Sequence, residues 1–300
     1  MQEVPPGAPP LSAPLVIGNP NFVGSSTYIT SATPMIPQTT DPNVEGFQYR
    51  FHLQGAPLPT YATMPFPLHW AHADLSPGVQ SVAVTMGGAN AGDGPYDFQY
   101  SAESFGNLLE PRHTTTVILD TTPPVISIVQ PQATNYTHSA TLTLNYSVSD
   151  GTGSGVASFT PTMDGSPTLP GNIGLQSGQA ISLLTELALG PHTFSITAAD
   201  NIGNSGSRSV TFSIIVTAQS IQDDVTQFVA SGKITQNGET SLLSKLANAA
   251  KGRANGNCST AANVYSAFIN EVMAQTGKKI DPAAAAILIA DANYLITHCP

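Results

Sequence analysis

The chain is predicted to be multidomain: two all-β sandwiches in tandem, followed by a small all-α four-helix bundle. Three observations carry this. A length of 300 residues exceeds what one small core needs. Apolar and polar residues alternate with a period of two up to Thr217. From Ser220 the period becomes helical.

The opening stretch, residues 1–13 within "MQEVPPGAPPLSAP", is rich in proline and predicts an extended linker or a free N-terminal segment. It lacks the basic and apolar blocks of a signal peptide, so the chain reads as the mature C-terminal part of a longer protein or as an expressed piece with Met1 added. The first sandwich is expected over 14–120 and the second over 121–217. In "ATLTLNYSVSD", Leu142, Leu144, Tyr146 and Val148 share one face, and Thr141, Thr143, Asn145 and Ser147 the other, as on a half-buried strand. "HTFSITAAD" and "SRSVTFSIIV" repeat the pattern through Phe194, Ile196, Phe212 and Ile214. The turn-rich intervals "DGTGSG", "MDGSP" and "LPGN" fall between them, at sandwich spacing.

The two β regions share an internal repeat. "FQYSAESFGNLLEPRHTTTVILDTTPP" runs parallel to "FSITAADNIGNSGSRSVTFSIIV", so that Glu103 takes the place of Asp200 and Gly106-Asn107 the place of Gly203-Asn204. "AADNIGNSGS" at 198–207 therefore reads first as the hairpin joining the last two strands of a domain. Over 218–300, four helices are expected. The first carries Ile221, Val225, Phe228 and Val229, with Ser220 or Gln219 as cap. The second starts at Asn237 and carries Leu242, Leu243, Leu246 and Ala250. The third runs from about Ser259 to Thr276, and the fourth starts with Asp281 as N-cap and Pro282 at its first position.

The phrases "STYITSATPM", "DGPYDFQYSAESFGNLLEP" and "LDTTPPVISI" resemble those of bacterial immunoglobulin-like repeats in secreted and cell-surface proteins. That resemblance covers roughly residues 14–217 and implies immunoglobulin-like sandwiches. Residues 37–75 are unusually aromatic and proline-rich for that class. "GKITQNGETSLLSKLANA" and "VYSAFINEV", with the helix layout, resemble the C-terminal FIMAH module of secreted bacterial proteins. The resemblance implies a location outside the cell rather than a mechanism.

Composition narrows function further. Charged residues are 9% of the chain, against roughly 25% in ordinary soluble domains. The whole net charge of −10 sits on residues 1–217, which contain three arginines and no lysine. Nucleic acid and anionic membrane surfaces are therefore poor partners. No window approaches the ~20 apolar residues of a membrane span.

Candidate sites are few. Cys258 and Cys299, the only two cysteines, flank the third and fourth helices; a bundle can bring them together as a disulfide, with two free thiols as the alternative. Asp120, Asp150, Asp200 and Asn204 lie in turns and offer the hard oxygen ligands that calcium prefers, although a one-three-five acid pattern is lacking. Tyr49, Tyr61, Phe66 and Trp70 form either an aromatic binding surface or part of the core. His69 and His72 have helical metal spacing in a proline-rich setting that disfavours a helix. No G-x-S-x-G, H-E-x-x-H or P-loop pattern occurs, so no catalytic residue is expected. The sequence thus points to a non-catalytic extracellular adhesion, spacer or accessory region, whose partner is an extracellular protein or glycan. Two alternatives stand beside it: a filament or surface-layer subunit that self-associates by donating residues 1–17 as a strand, and a carbohydrate-binding accessory to a secreted hydrolase.

Overall fold

Alternation of large apolar side chains along Val44–Leu53 and Gly94–Ser104 places Phe47, Tyr49 and Phe51 on one inward row and Tyr96, Phe98 and Tyr100 on the next. The two strands pair antiparallel with Phe51 opposite Phe98 and Tyr49 opposite Tyr100. They form the centre of a six-stranded sheet ordered Asn21–Val23, Ser26–Ile29, His113–Leu119, Gly94–Ser104, Val44–Leu53, Ala71–Asp74. Met35, Val84 and Met86 join the same buried cluster. At the Ala71–Asp74 edge a glycine is required. A Cβ on Gly46 would stand 2.6 Å from the Ala73 carbonyl oxygen and 2.8 Å from the His72 ring.

The computed structural model of the chain describes residues 9–57, 70–87 and 92–299. Its described residues fall into two units, one drawn from 1–125, 148–159 and 198–206, the other from 126–147, 160–197 and 207–300.

Ser12–Ile17 pairs antiparallel with Met35–Thr39, so within the strand donor expected over 1–17 these residues are not free. The segment is already used within its own unit. Its entry is clamped by the buried Glu110, whose carboxylate accepts from the Ser12 N–H at 2.9 Å and the Ala102 N–H at 2.8 Å.

In the second β region, Asn135–Thr137, Ser205–Ile215, Gly190–Asp200 and Val156–Met163 form a four-stranded sheet in that order. Leu142, Leu144 and Tyr146 are buried on one face. The single strand expected over 140–150 is nevertheless two. Thr141–Thr143 pairs with Ala180–Ser182, whereas Asn145–Ser149 pairs with Val125–Gln130. The partner changes at Leu144, whose backbone still bonds to Gly178 and Gln179.

The repeated hairpin is present in both regions. Asn201 to Asn204 turn Gly190–Asp200 back into Ser205–Ile215, with Gly203 at φ +96° and the Asp200 N–H donating to the Asn204 carbonyl at 3.0 Å. In the twin, Asn107 at φ 58° takes the left-handed position, one residue later than the glycine comparison implies.

Among the described residues a single helical turn α1 (Leu183–Glu186) lies between Ala180–Ser182 and Gly190–Asp200, and after the β regions come α2 (Ser220–Ala230), α3 (Gln236–Ala254), α4 (Cys258–Gln275) and α5 (Pro282–Thr297). The last four meet along Ile221, Val225, Phe228, Leu242, Leu246, Tyr265, Phe268 and Leu288, and the same core takes in Leu184 and Val216. Neither Gln219 nor Ser220 caps α2 with its side chain; the Ser220 hydroxyl accepts from the Thr217 N–H instead. Asp281 caps α5 as its sequence predicts, accepting from the N–H groups of Ala283 and Ala284. α3 and α4 approach closely at Gly252, where a Cβ would stand 3.3 Å from that of Ala261.

Candidate functional site

Asp120 follows the strand His113–Leu119, Asp150 follows Asn145–Ser149, and Asp200 ends Gly190–Asp200. Three strand ends distant in sequence thereby bring three carboxylates together, each with an oxygen within 4.8 Å of the others. Backbone donors hold each in place. Asp120 Oδ2 accepts from the Ser154 N–H at 2.7 Å, Asp150 Oδ2 from the Gly155 N–H at 2.7 Å, and Asp200 Oδ1 from the Asn204 N–H at 2.8 Å. Asn204 joins as a donor, its side-chain amide bonding Asp200 Oδ2 at 2.7 Å and the Asp120 carbonyl at 3.2 Å.

Gly153 is required at the centre. A Cβ there would lie 2.5 Å from Asp150 Oδ2 and 2.9 Å from Asp120 Oδ2. The cluster opens on a groove of about 630 Å³ lined by Asp93, Asp120, Asp150 and Gly151 to Gly153 among others. Asp93 is tied to the same segment, accepting from the Thr121 N–H and from the hydroxyls of Thr121 and Thr122. Burial raises the Asp150 carboxyl above its ordinary range, and the charges of Asp120, Asp200 and Asp93 push it the same way; the Gly155 N–H opposes them. The arrangement is an acidic, oxygen-rich pocket of the type that a hard cation neutralises. "AADNIGNSGS" is therefore both a hairpin and one wall of this pocket.

Of the aromatic candidates, the described residues include Tyr49 and Trp70. Tyr49 is 5% exposed and packs against Phe98 at a ring distance of 6.3 Å, so of the two readings it takes the core one. Period-two alternation puts it on the core row. Trp70 lies under two guanidinium groups, Arg50 at 4.8 Å and Arg112 at 4.6 Å from the ring centre. Tyr61, Phe66 and His69 lie outside the described residues. His72 is on the strand Ala71–Asp74, between Glu103 and Asp74, each at 3.1 Å.

Cys258 and Cys299 form a disulfide with Cα atoms 5.9 Å apart. Beside it, Arg253 donates to the carbonyls of Leu295 at 2.6 Å and His298 at 2.9 Å, which satisfies the end of α5.

A further cluster escaped the sequence reading. His138, Asp224 and Asp291 converge in the second unit, with one ligand atom from each within 4.8 Å of the others. A signal for it exists in the sequence. Asp224 stands three residues after Ile221 and four before Phe228, and Asp291 three after Leu288 and four before Leu295, so both acids occupy core positions of apolar stripes. The other buried histidine among the described residues, His192, is held at both nitrogens, by Asp164 at 2.6 Å and by the Ala188 carbonyl at 2.7 Å.

Comparison with known proteins places the helical part. Residues 218–297 form a FIMAH domain. No curated protein sequence matches the chain. Among solved structures, the chain is similar to fibronectin(III)-like modules of CbhA from Clostridium thermocellum, at 12% identity over 67% of this chain and 93% of that one, with a TM-score of 0.30. It is also similar to the FN1–FN3 domains of chicken CNTN1, at 12% identity over 69% of both chains, with a TM-score of 0.29. A bacterial ice-binding adhesin matches at 13% identity over 70% of this chain and 66% of that one, with a TM-score of 0.32. The architecture is β-rich up to Ile215, followed by a helical FIMAH domain.

Proposed function

We propose that this chain is a non-catalytic extracellular adhesion, spacer or accessory region in which calcium, held by Asp120, Asp150 and Asp200 beside Asn204, ties three chain segments together. The carrying observation is the convergence of those carboxylates around a glycine whose Cβ would displace them. Three like charges kept this close repel one another, and a divalent oxygen-seeking ion reverses the sign of that interaction. The domains of this reading are 14–120, 121–217 and 218–300.

An extracellular or cell-surface location is supported by the disulfide. Among the described residues no helix is long and apolar enough to cross a membrane. Partners of this reading are extracellular proteins or glycans. A filament built by strand exchange is disfavoured, because Ser12–Ile17 would have to leave Met35–Thr39. A Trp70-centred glycan surface is disfavoured by the two arginines already over its ring.

The test is thermal melting of the full chain after EDTA treatment, with and without calcium added back. Calcium should raise the melting temperature of the wild type and leave that of D150N unmoved. Coincident wild-type melts would remove the calcium reading, and hydrolysis of glycan or peptide substrates by the purified chain would remove the non-catalytic one.

A further inference from the structure

The geometry points to a separate site for a small divalent transition ion, zinc(II), formed by His138, Asp224 and Asp291. Both aspartates are 0% exposed and His138 is 4% exposed. Three oxygens there, both of Asp224 and Oδ2 of Asp291, have no hydrogen-bond partner. Only the fourth, Asp291 Oδ1, is satisfied, by His138 Nδ1 at 2.7 Å.

Buried carboxylates are normally paired or hydrogen-bonded, because stripping their hydration without replacement is expensive. A proton shared between Asp224 and Asp291 bridges two of the three bare oxygens and leaves one without a donor. Burial, followed by the charge of Asp291, pushes the Asp224 carboxyl up to about 9, which expresses the same lack of compensation. A divalent ion neutralises both carboxylates at once and takes the neutral imidazole as its nitrogen ligand.

The donor set selects the ion. One imidazole and two carboxylates suit zinc rather than calcium or magnesium, which take oxygen alone. Donors about 2.0–2.2 Å from a tetrahedral ion stand roughly 3.3–3.6 Å apart, so the present spread within 4.8 Å needs a contraction of at most about 1.5 Å. Asp224 has a second oxygen for the fourth position. The histidine of the set stands nearest to solvent. His138 lines an open groove of about 410 Å³, whose wall also carries Glu186 with its unpartnered Oε2. The ion would fasten both α2 and α5 to His138, which at present is bonded to α5 through Asp291, while α2 reaches the next residue through the Gln227 amide donating to the Ser139 carbonyl at 2.8 Å.

The experiment uses the untagged full chain, stripped with EDTA and titrated with cobalt(II) as a visible surrogate, then with zinc. The wild type should take up one cobalt per chain with the d–d absorption of a low-coordinate nitrogen and oxygen site, and zinc should bleach it. D224N and D291N should abolish the band, whereas D150N and H72Q should keep it. Far-UV circular dichroism establishes that the variants fold. If D224N does not fold, the His138 ring ¹⁵N shifts of the wild type decide, because they must move on adding one equivalent of zinc. A wild type that binds no cobalt, a band that survives in D224N, or unmoved His138 nitrogens would overturn the proposal.

Discussion

Replacing both Cys258 and Cys299 by serine removes a cross-link that closes a sequence separation of 41 residues. In the chain-entropy model such a loop restricts the unfolded state by about 13 cal/mol/K, so its loss costs about 4 kcal/mol at 25 °C. How this appears on heating depends on what unfolds together. The FIMAH helices share their buried core with Leu184 and Val216, within the unit made of residues 126–147, 160–197 and 207–300. If that unit melts as one, 4 kcal/mol lowers its transition by roughly 8–16 °C, whereas helices melting alone would lose roughly 16–32 °C. Differential scanning calorimetry of the wild type, reduced wild type and C258S/C299S double variant measures the shift. Urea unfolding gives the free energy at 25 °C. The reduced wild type and the double variant should agree. A loss below about 1 kcal/mol would refute the loop-entropy reasoning, since Arg253 alone would then secure the end of α5.

Three further outcomes follow from individual contacts. Asp224 has its folded pKa raised to about 9, so between roughly pH 4 and 9 the native state binds a proton that the unfolded state lacks; stability of the EDTA-treated protein should fall as pH rises through that window. D224N should flatten this slope in urea titrations from pH 5 to 9, and an unchanged slope would contradict the assignment. G153A should destabilise by about 1–3 kcal/mol and abolish any calcium shift in melting, because its Cβ meets two carboxylates below 3.0 Å. R253A should cost roughly 1.5–3 kcal/mol in urea unfolding for its two charge-assisted bonds to carbonyls, while R253K should recover part of it.

What could be read in advance follows from how local each signal is. Asp281 and Pro282 announce the start of α5 because a cap is decided within four residues. Leu142, Leu144 and Tyr146 announce a buried face, yet nothing in "ATLTLNYSVSD" tells that the strand changes partner at Leu144, since partners come from residues 125–130 and 180–182. The aspartate cluster was visible as separate ligands. Its convergence was not, because Asp120, Asp150 and Asp200 lie on three different chain passes. Asp224 and Asp291 are hidden in another way: each stands in register with apolar neighbours, Ile221 and Phe228 or Leu288 and Leu295, and a helical period alone does not tell an acid facing the core from one facing solvent.

The parallel pairings have a mechanical consequence. Ser26–Ile29 lies parallel to His113–Leu119, and Asn135–Thr137 parallel to Ser205–Ile215, so in each β region an early strand runs beside the last one. Pulling the two ends of such a region apart drags these neighbours past each other lengthwise. The interstrand bonds are then loaded together, and they yield in a group rather than peeling one by one. A chain stretched between two attachments would resist through these short pairs first, and the cross-linked helical end would bear its share of the tension outside the loop that Cys258 and Cys299 close.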